Sequence, residues 1–243
     1  TTYNYQYVGD VQHIINHFRS PYPALNVPRR HERVCTDTVY SDTAAFCGSA
    51  VCAQVFVGRS SRYIAIFAMT HEAQFVNTLN DEIRKRGAMD TLTSDRAQAE
   101  ISNRVKAVLR SYAIDDTQSE PHQQHQNYAE RIYKDVKRNA NWVLNWSGAP
   151  PQAWLWAYQY CAYIMNRTAR KTINWRTPFE ALYGQTPDIS IMMKFVFWEV
   201  CYISNYRQND NTHFPSESNE IRVRMIGFGE GVGNKMTYKV FNE

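Results

Sequence analysis

Three carboxylates, Asp37, Asp95 and Glu130, stand at structurally special places, and together they make a candidate metal site. Asp37 lies in a β-branched run, Asp95 closes another, and Glu130 opens a helical pattern. A strand and the strand that returns after a crossover can lie side by side, which would make Asp37 and Asp95 neighbours. Adjacent carboxylates repel unless positive charge sits between them. Mg²⁺ meets that need, because it takes hard oxygen ligands and keeps positions for water or a phosphate oxygen. A third carboxylate from a helix completes a clamp for two ions about 3.5–4 Å apart, which stabilises both the attacking and leaving oxygens of an in-line phosphoryl displacement. Asp42, just past Asp37, competes for the first position, and Glu100 near Asp95 reads equally as a surface helix residue.

Glu130 is followed by Lys134 and Lys137. At helical periodicity these steps return to nearly the same angle, so the three side chains share one side. Ala129, Tyr133, Val136, Ala140 and Val143 form a separate apolar stripe that turns the helix into the core. The acid and its lysines therefore line the edge of a buried helix. An ordinary solvated Glu–Lys pair has the same spacing, and the sequence pattern alone leaves both readings open.

Positioning these groups requires a sheet and covering helices. Val34–Thr38, Val51–Val57 and Tyr63–Met69 are three runs broken by "DTAAFCGS" and "GRSS", the pattern of an antiparallel meander. A helical period over 71–86 stops at Gly87, "DTLTSD" is a short strand ending in Asp95, and 99–112 is a second helix. This order predicts an α/β domain with a mixed sheet whose parallel part is covered on both faces. Residues 115–126 read as a polar loop before the Glu130 helix, and 152–166 as an aromatic helix belonging to core or to an oligomer surface.

The predicted organisation is an extended N-terminal segment over 1–32, a core over 33–193 and a small β module over 194–243. A chain of 243 residues with 44% hydrophobic and 21% charged residues can bury a sizeable core. It has no apolar tract of membrane-spanning length and no visible secretory leader. Five scattered cysteines favour reduced thiols inside a cell, and a zinc site built from Cys47, Cys52, His13 and His17 is not expected because paired, tightly spaced ligands are missing. A net charge of +4 is mild, but basic residues concentrate at 84–86, 131–138 and 167–176.

The words around these residues resemble the integrase of Ty1/copia-type LTR retrotransposons, related to retroviral integrases and DDE transposases. "CTDTVYSD" is similar to the family's first-Asp strand, "VFVGRSSRYIAIFAM" to its hairpin, "LTSDRAQAE" to its second-Asp motif and "QHQNYAERIYKDVKR" to its Glu helix. "APPQAWLWAYQYCAYIMNRTA", "RTPFEALYGQTPDIS" and "KFVFWEVCYIS" follow in the family's order, so the resemblance covers about residues 33–205. It implies a ribonuclease-H-like, five-stranded mixed sheet flanked by helices. It implies Asp37, Asp95 and Glu130 as catalytic metal ligands for two Mg²⁺, with Mn²⁺ as a substitute, and Lys134 and Lys137 as grips on DNA backbone beside the reacting phosphate. Arg131 and Arg138 extend that track, and Gln126 is placed to touch a DNA end. The sequence departs from the family after Asp95, where Arg-Ala-Gln-Ala replaces Asn-Gly-Gly, and at Asn127, where glycine is usual. The family's upstream His/Cys zinc module is not recognisable here.

The leading expectation is thus a metal-dependent DNA-integrating polynucleotidyl transferase that acts on element and target DNA as a homo-oligomer, intracellular and nuclear at the integration step. No membrane partner or small-molecule cofactor is expected. The alternatives are an inactive integrase-like relic that binds DNA or assembles, and a nuclease acting on RNA–DNA hybrids.

Overall fold

The computed structural model describes residues 20–94, 102–118, 128–204, 220–229 and 237–242. Strands β1 (Arg33–Tyr40), β2 (Cys52–Gly58), β3 (Ile64–Met69), β4 (Thr91–Ser94) and β5 (Asp115–Gln118) form one sheet in the order β3-β2-β1-β4-β5. The meander β1–β2–β3 is antiparallel, whereas β4 pairs parallel to β1 and β5 parallel to β4. The mixed five-stranded sheet is therefore present, and β1, which carries Asp37, is its central strand. The segment read as a polar loop from 115 begins instead with β5. Its sequence, DDTQ, lacks apolar alternation because this edge strand is largely exposed and buries almost nothing.

Helices α1 (Phe75–Arg86) and α2 (Asn103–Ser111) cover one face. Their Phe75, Leu79, Ile83, Val105 and Leu109 meet Val34, Phe56 and Leu92 of the sheet. Helix α1 closes at Gly87, whose φ of +92° and close approach to the Pro28 carbonyl, 2.6 Å from where a Cβ would stand, both require glycine. The other face is covered by α3 (Tyr128–Ser147) and α4 (Trp154–Arg167), whose buried residues pack on Cys35, Val39, Val55, Val57 and Ile64. The buried stripe of α3 runs through Ala129, Ile132, Val136 and Ala140. Ile132 takes the place expected for Tyr133, which is half-buried at the edge of the stripe.

Past the short helix α5 (Pro178–Tyr183), strands β6 (Val200–Ser204), β7 (Glu220–Phe228) and β8 (Tyr238–Asn242) form an antiparallel sheet. Its Met225, Ile226 and Phe228 enter the same core as α4, with Phe228 stacked on Tyr163 and Tyr160 at 4.4 and 5.4 Å between centroids. The aromatic residues of α4 thus glue the two sheets together. Trp198 enters this core with a left-handed φ of +66°, held by its N–H donating to the Met225 carbonyl at 2.7 Å.

The described part of the N-terminal segment is tied to the sheet. Arg29 bridges Ala88, and Arg30 and Glu32 lie buried in a charge network. The Arg30 guanidinium donates to Glu32 Oε1 at 2.5 Å and to Glu82 Oε1 at 2.6 Å, and Arg86 donates to Glu82 Oε2 at 2.6 Å. Glu32 also accepts from the Ser60 and Ser61 N–H groups. Buried charges persist only with partners of this quality.

Candidate active site

Alternation along β1 turns Cys35, Asp37 and Val39 toward α3 and α4, because Cys35 and Val39 belong to the core on that face. On the opposite face Thr36 and Thr38 hold the fully buried Gln54 of β2 between their hydroxyls at 2.6 and 2.7 Å. This clamps β1 against β2 on both sides of Asp37. Past the last β1–β4 pair, Cys35 with Thr93, the Thr38 N–H donates to Asp37 Oδ1 at 2.8 Å. The carboxylate is therefore oriented by its own strand.

Glu130 lies in the first turn of α3, where the helix dipole favours an anion. Its side chain is 19% exposed and accepts from Lys134 Nζ at 2.7 Å. That hydrogen bond and the charge of Glu130 raise the Lys134 pKa above the usual lysine value, and Tyr133 and Asp37 add to the effect. Lys134 thus lies in the field of both carboxylates, which the fold has brought to one side of the sheet from residues far apart in sequence. Arg131, Lys137 and Arg138 are exposed on the same helix, with Arg138 donating to Asp135 at 3.0 Å. Asp95 and Gln126 lie outside the described residues, as do Glu100 and Asn127. Asp42 lies beyond β1 and is exposed.

Two neighbours of the site were not singled out by sequence. Tyr158 of α4 donates its hydroxyl to the Tyr133 carbonyl, and its phenol is pushed well above the usual range by burial, with Tyr133 and Asp37 adding to the shift. Its pattern position marks it only as core. Thr93, which faces Cys35 across the parallel pair, has a buried hydroxyl without a hydrogen-bond partner.

The donor chemistry fits a hard divalent cation. Asp37 and Glu130 supply carboxylate oxygens, the Lys134 ammonium already rests on Glu130 as a cation would, and the Thr93 hydroxyl lies unpaired on the face of β4 that follows Cys35. Among the described residues no group of three or more His, Cys, Asp and Glu is close enough to hold a metal.

No protein-family model matches the chain. It is 24% identical over 154 residues to the retrovirus-related Pol polyprotein from transposon RE2 of Arabidopsis thaliana, covering 61% of this chain. The corresponding figure for the transposon RE1 polyprotein of the same plant is 22% over 156 residues. The chain spans about 10% of the length of these curated relatives. Among solved structures, the HTLV-2 integrase catalytic core domain in complex with magnesium superposes with a TM-score of 0.51 at 15% identity, over 64% of this chain and 97% of that one. The fold is that of an integrase catalytic core. A simian T-cell lymphotropic virus intasome solved with the PP2A regulatory subunit B56 gamma aligns over 89% of this chain and 82% of that chain, with a TM-score of 0.54 at 12% identity. Within this integrase-like core, β1 and the start of α3 are the elements that present Asp37 and Glu130.

Proposed function

We propose that the chain is the catalytic part of a retrotransposon integrase, which trims element DNA and joins its 3′ end to target DNA. The observation that carries this reading is the convergence of Asp37, Glu130 and Lys134 on one face of an integrase-core sheet. The pairing register supports Asp95 as the third ligand. Val34 faces Leu92 and Cys35 faces Thr93, each 58 positions on, and Asp95 follows Asp37 by the same 58 positions.

In this reading Asp37, Asp95 and Glu130 hold two Mg²⁺ or Mn²⁺ ions. The chemistry such ions supply is stabilisation of the attacking and leaving oxygens on phosphorus. The chain contributes alignment: β1 carries Asp37, Asp95 follows β4 directly in the sequence, and the first turn of α3 carries Glu130. Lys134 and Lys137, one and two turns along α3, neutralise phosphates that flank the reacting one, and Arg131 and Arg138 extend that contact. Water, or the 3′-hydroxyl of the element, attacks phosphorus as the bond to a 3′-oxygen breaks. No protein nucleophile takes part. Joining two ends calls for more than one copy, consistent with the solved dimeric and trimeric forms of the HTLV-2 core, and for action in the nucleus.

The decisive experiment is strand transfer of a labelled duplex in Mg²⁺ and in Mn²⁺, comparing the chain with Glu130→Gln. Joined products that vanish in the variant are the expected result. Undiminished joining by Glu130→Gln, or DNA binding with neither nicking nor joining in the intact polyprotein, would sink the catalytic reading.

A further inference from the structure

The helix that opens with Glu130 ends in a feature that phosphate binding leaves unused. Trp142 and Trp146 are 65% and 62% exposed and sit one turn apart. Their rings stack on each other, with planes within 4° and centroids 6.1 Å apart. Tryptophan is usually highly buried, so two held side by side in solvent form a prepared surface. They continue a single row at i, i+4 spacing that runs Glu130, Lys134, Arg138, Trp142, Trp146.

Charge selects the occupant. The first half of the exposed face carries Arg131, Lys134, Lys137 and Arg138 against two carboxylates, Glu130 paired with Lys134 and half-exposed Asp135 paired with Arg138, and so keeps an excess of positive charge. The second half, around the tryptophans, carries only neutral Asn139, Asn141 and Asn145. A basic track leading to an aromatic platform is how proteins hold single-stranded nucleic acid: cations follow the backbone and rings receive the bases. Helix rise sets the scale. Trp142 stands about 18 Å and Trp146 about 24 Å along the axis from Glu130. A strand stacked at about 3.4 Å per nucleotide spans those distances in about five to seven nucleotides.

We propose that Trp142 and Trp146 form a stacking platform for unpaired bases of a DNA strand that leaves the Glu130 site past Lys134 and Arg138. The inference rests on the DNA-processing reading above and adds a substrate preference: DNA with a single-stranded segment of at least five nucleotides, without base specificity, since every base offers a π face.

The test measures binding of two probes by the full chain, a blunt duplex and the same duplex with a seven-nucleotide single-stranded tail, by fluorescence anisotropy and quenching of intrinsic tryptophan emission. The tail is expected to strengthen wild-type binding by about tenfold or more and to quench emission. In the double variant Trp142→Ala/Trp146→Ala that gain disappears while affinity for blunt duplex stays. The pair Trp142→Phe/Trp146→Phe, which keeps flat rings, retains most of the gain. An equal gain in wild type and the alanine variant overturns the platform. So does an unchanged gain together with loss of self-association in sedimentation, which would make the tryptophans a contact between copies of the chain. Binding of blunt duplex with no gain from the tail refutes the platform alone, whereas no binding of either probe at low salt removes the DNA reading itself.

Discussion

The side-chain amide of Asn166 acts as a missing strand for Ile64. Its oxygen accepts the Ile64 N–H at 2.8 Å and its nitrogen donates to the Ile64 carbonyl at 2.7 Å. Ile64 opens β3, which among the described residues is an edge strand of the sheet, and Asn166 lies near the end of α4. One buried residue thereby locks the second helix layer to the sheet edge. Asn166→Ala leaves both Ile64 groups buried without partners, and a loss of about 1–3 kcal/mol is expected in urea unfolding. A change within about 0.5 kcal/mol would show that water replaces the amide.

The network of Arg30, Glu32, Glu82 and Arg86 is expected to be a larger stability determinant. Removing one partner strands a buried charge, so Arg30→Ala should cost about 3–5 kcal/mol. Gly58→Ala acts on the same network from outside. Its Cβ would stand 2.3 Å from Ser61 Oγ and 2.6 Å from Glu32 Oε2, and a loss of about 1–3 kcal/mol is expected from overpacking. Denaturation midpoints of the two variants check both values, and an effect of Arg30→Ala no larger than that of a surface substitution would contradict this account.

The phosphate contacts proposed for Lys134 and Lys137 predict a specific salt signature. Lys134→Gln and Lys137→Gln should each weaken duplex binding without regard to sequence and reduce the slope of log affinity against log salt by about one. A slope unchanged in both variants would mean that neither ammonium touches DNA backbone. Above the usual lysine range Lys134 remains protonated longer than a free lysine, because the Glu130 bond raises its pKa.

The thiols give a pH prediction with a definite sign. Burial pushes Cys161 up to about 12, whereas in the unfolded chain it ionises at about 8.5. Its contribution to stability is fully present below the unfolded value and declines as pH rises toward the folded one, since the unfolded thiolate is the favoured ion. Cys161→Ala should flatten stability between pH 8 and 11 in urea titrations. At neutral pH a thiol reagent should modify exposed Cys47 rapidly, and buried Cys35 and Cys161 only on unfolding.

Much of the fold could be read from sequence because burial writes itself into periodicity. The meander, the Gly87 stop and the Glu130 helix all carry clear apolar patterns, and β2, buried along its whole length, is a continuous apolar run broken only by Gln54. The strand β5 was illegible for the opposite reason: its side chains face solvent and its place is fixed by backbone pairing with β4. Ile132 was missed because a stripe drawn at steps of four and three passes equally well through Tyr133, and only packing chooses between them. The carboxylates could be named from the resemblance, with Asp37 in the first strand run and Glu130 at the start of a helical pattern. The buried network of Arg30 and Glu82 could not, because pairing between a connector and a helix 52 residues away leaves no local trace. Trp142 and Trp146 have ordinary helical spacing, and their exposure becomes visible only once the core face of α3 is known.

The core shared by α4 and the small sheet makes the chain mechanically indivisible at the point where its texture changes. Cleavage near residue 194 would strip Phe197, Trp198, Met225 and Phe228 from Tyr160 and Tyr163, and would leave bare the back of the helix whose Tyr158 hydroxyl holds the Tyr133 carbonyl of α3. A truncated core would therefore be sticky and poorly behaved in solution, and sequence drift in the distant tail would be felt, through one helix, at the face of the sheet that carries Asp37.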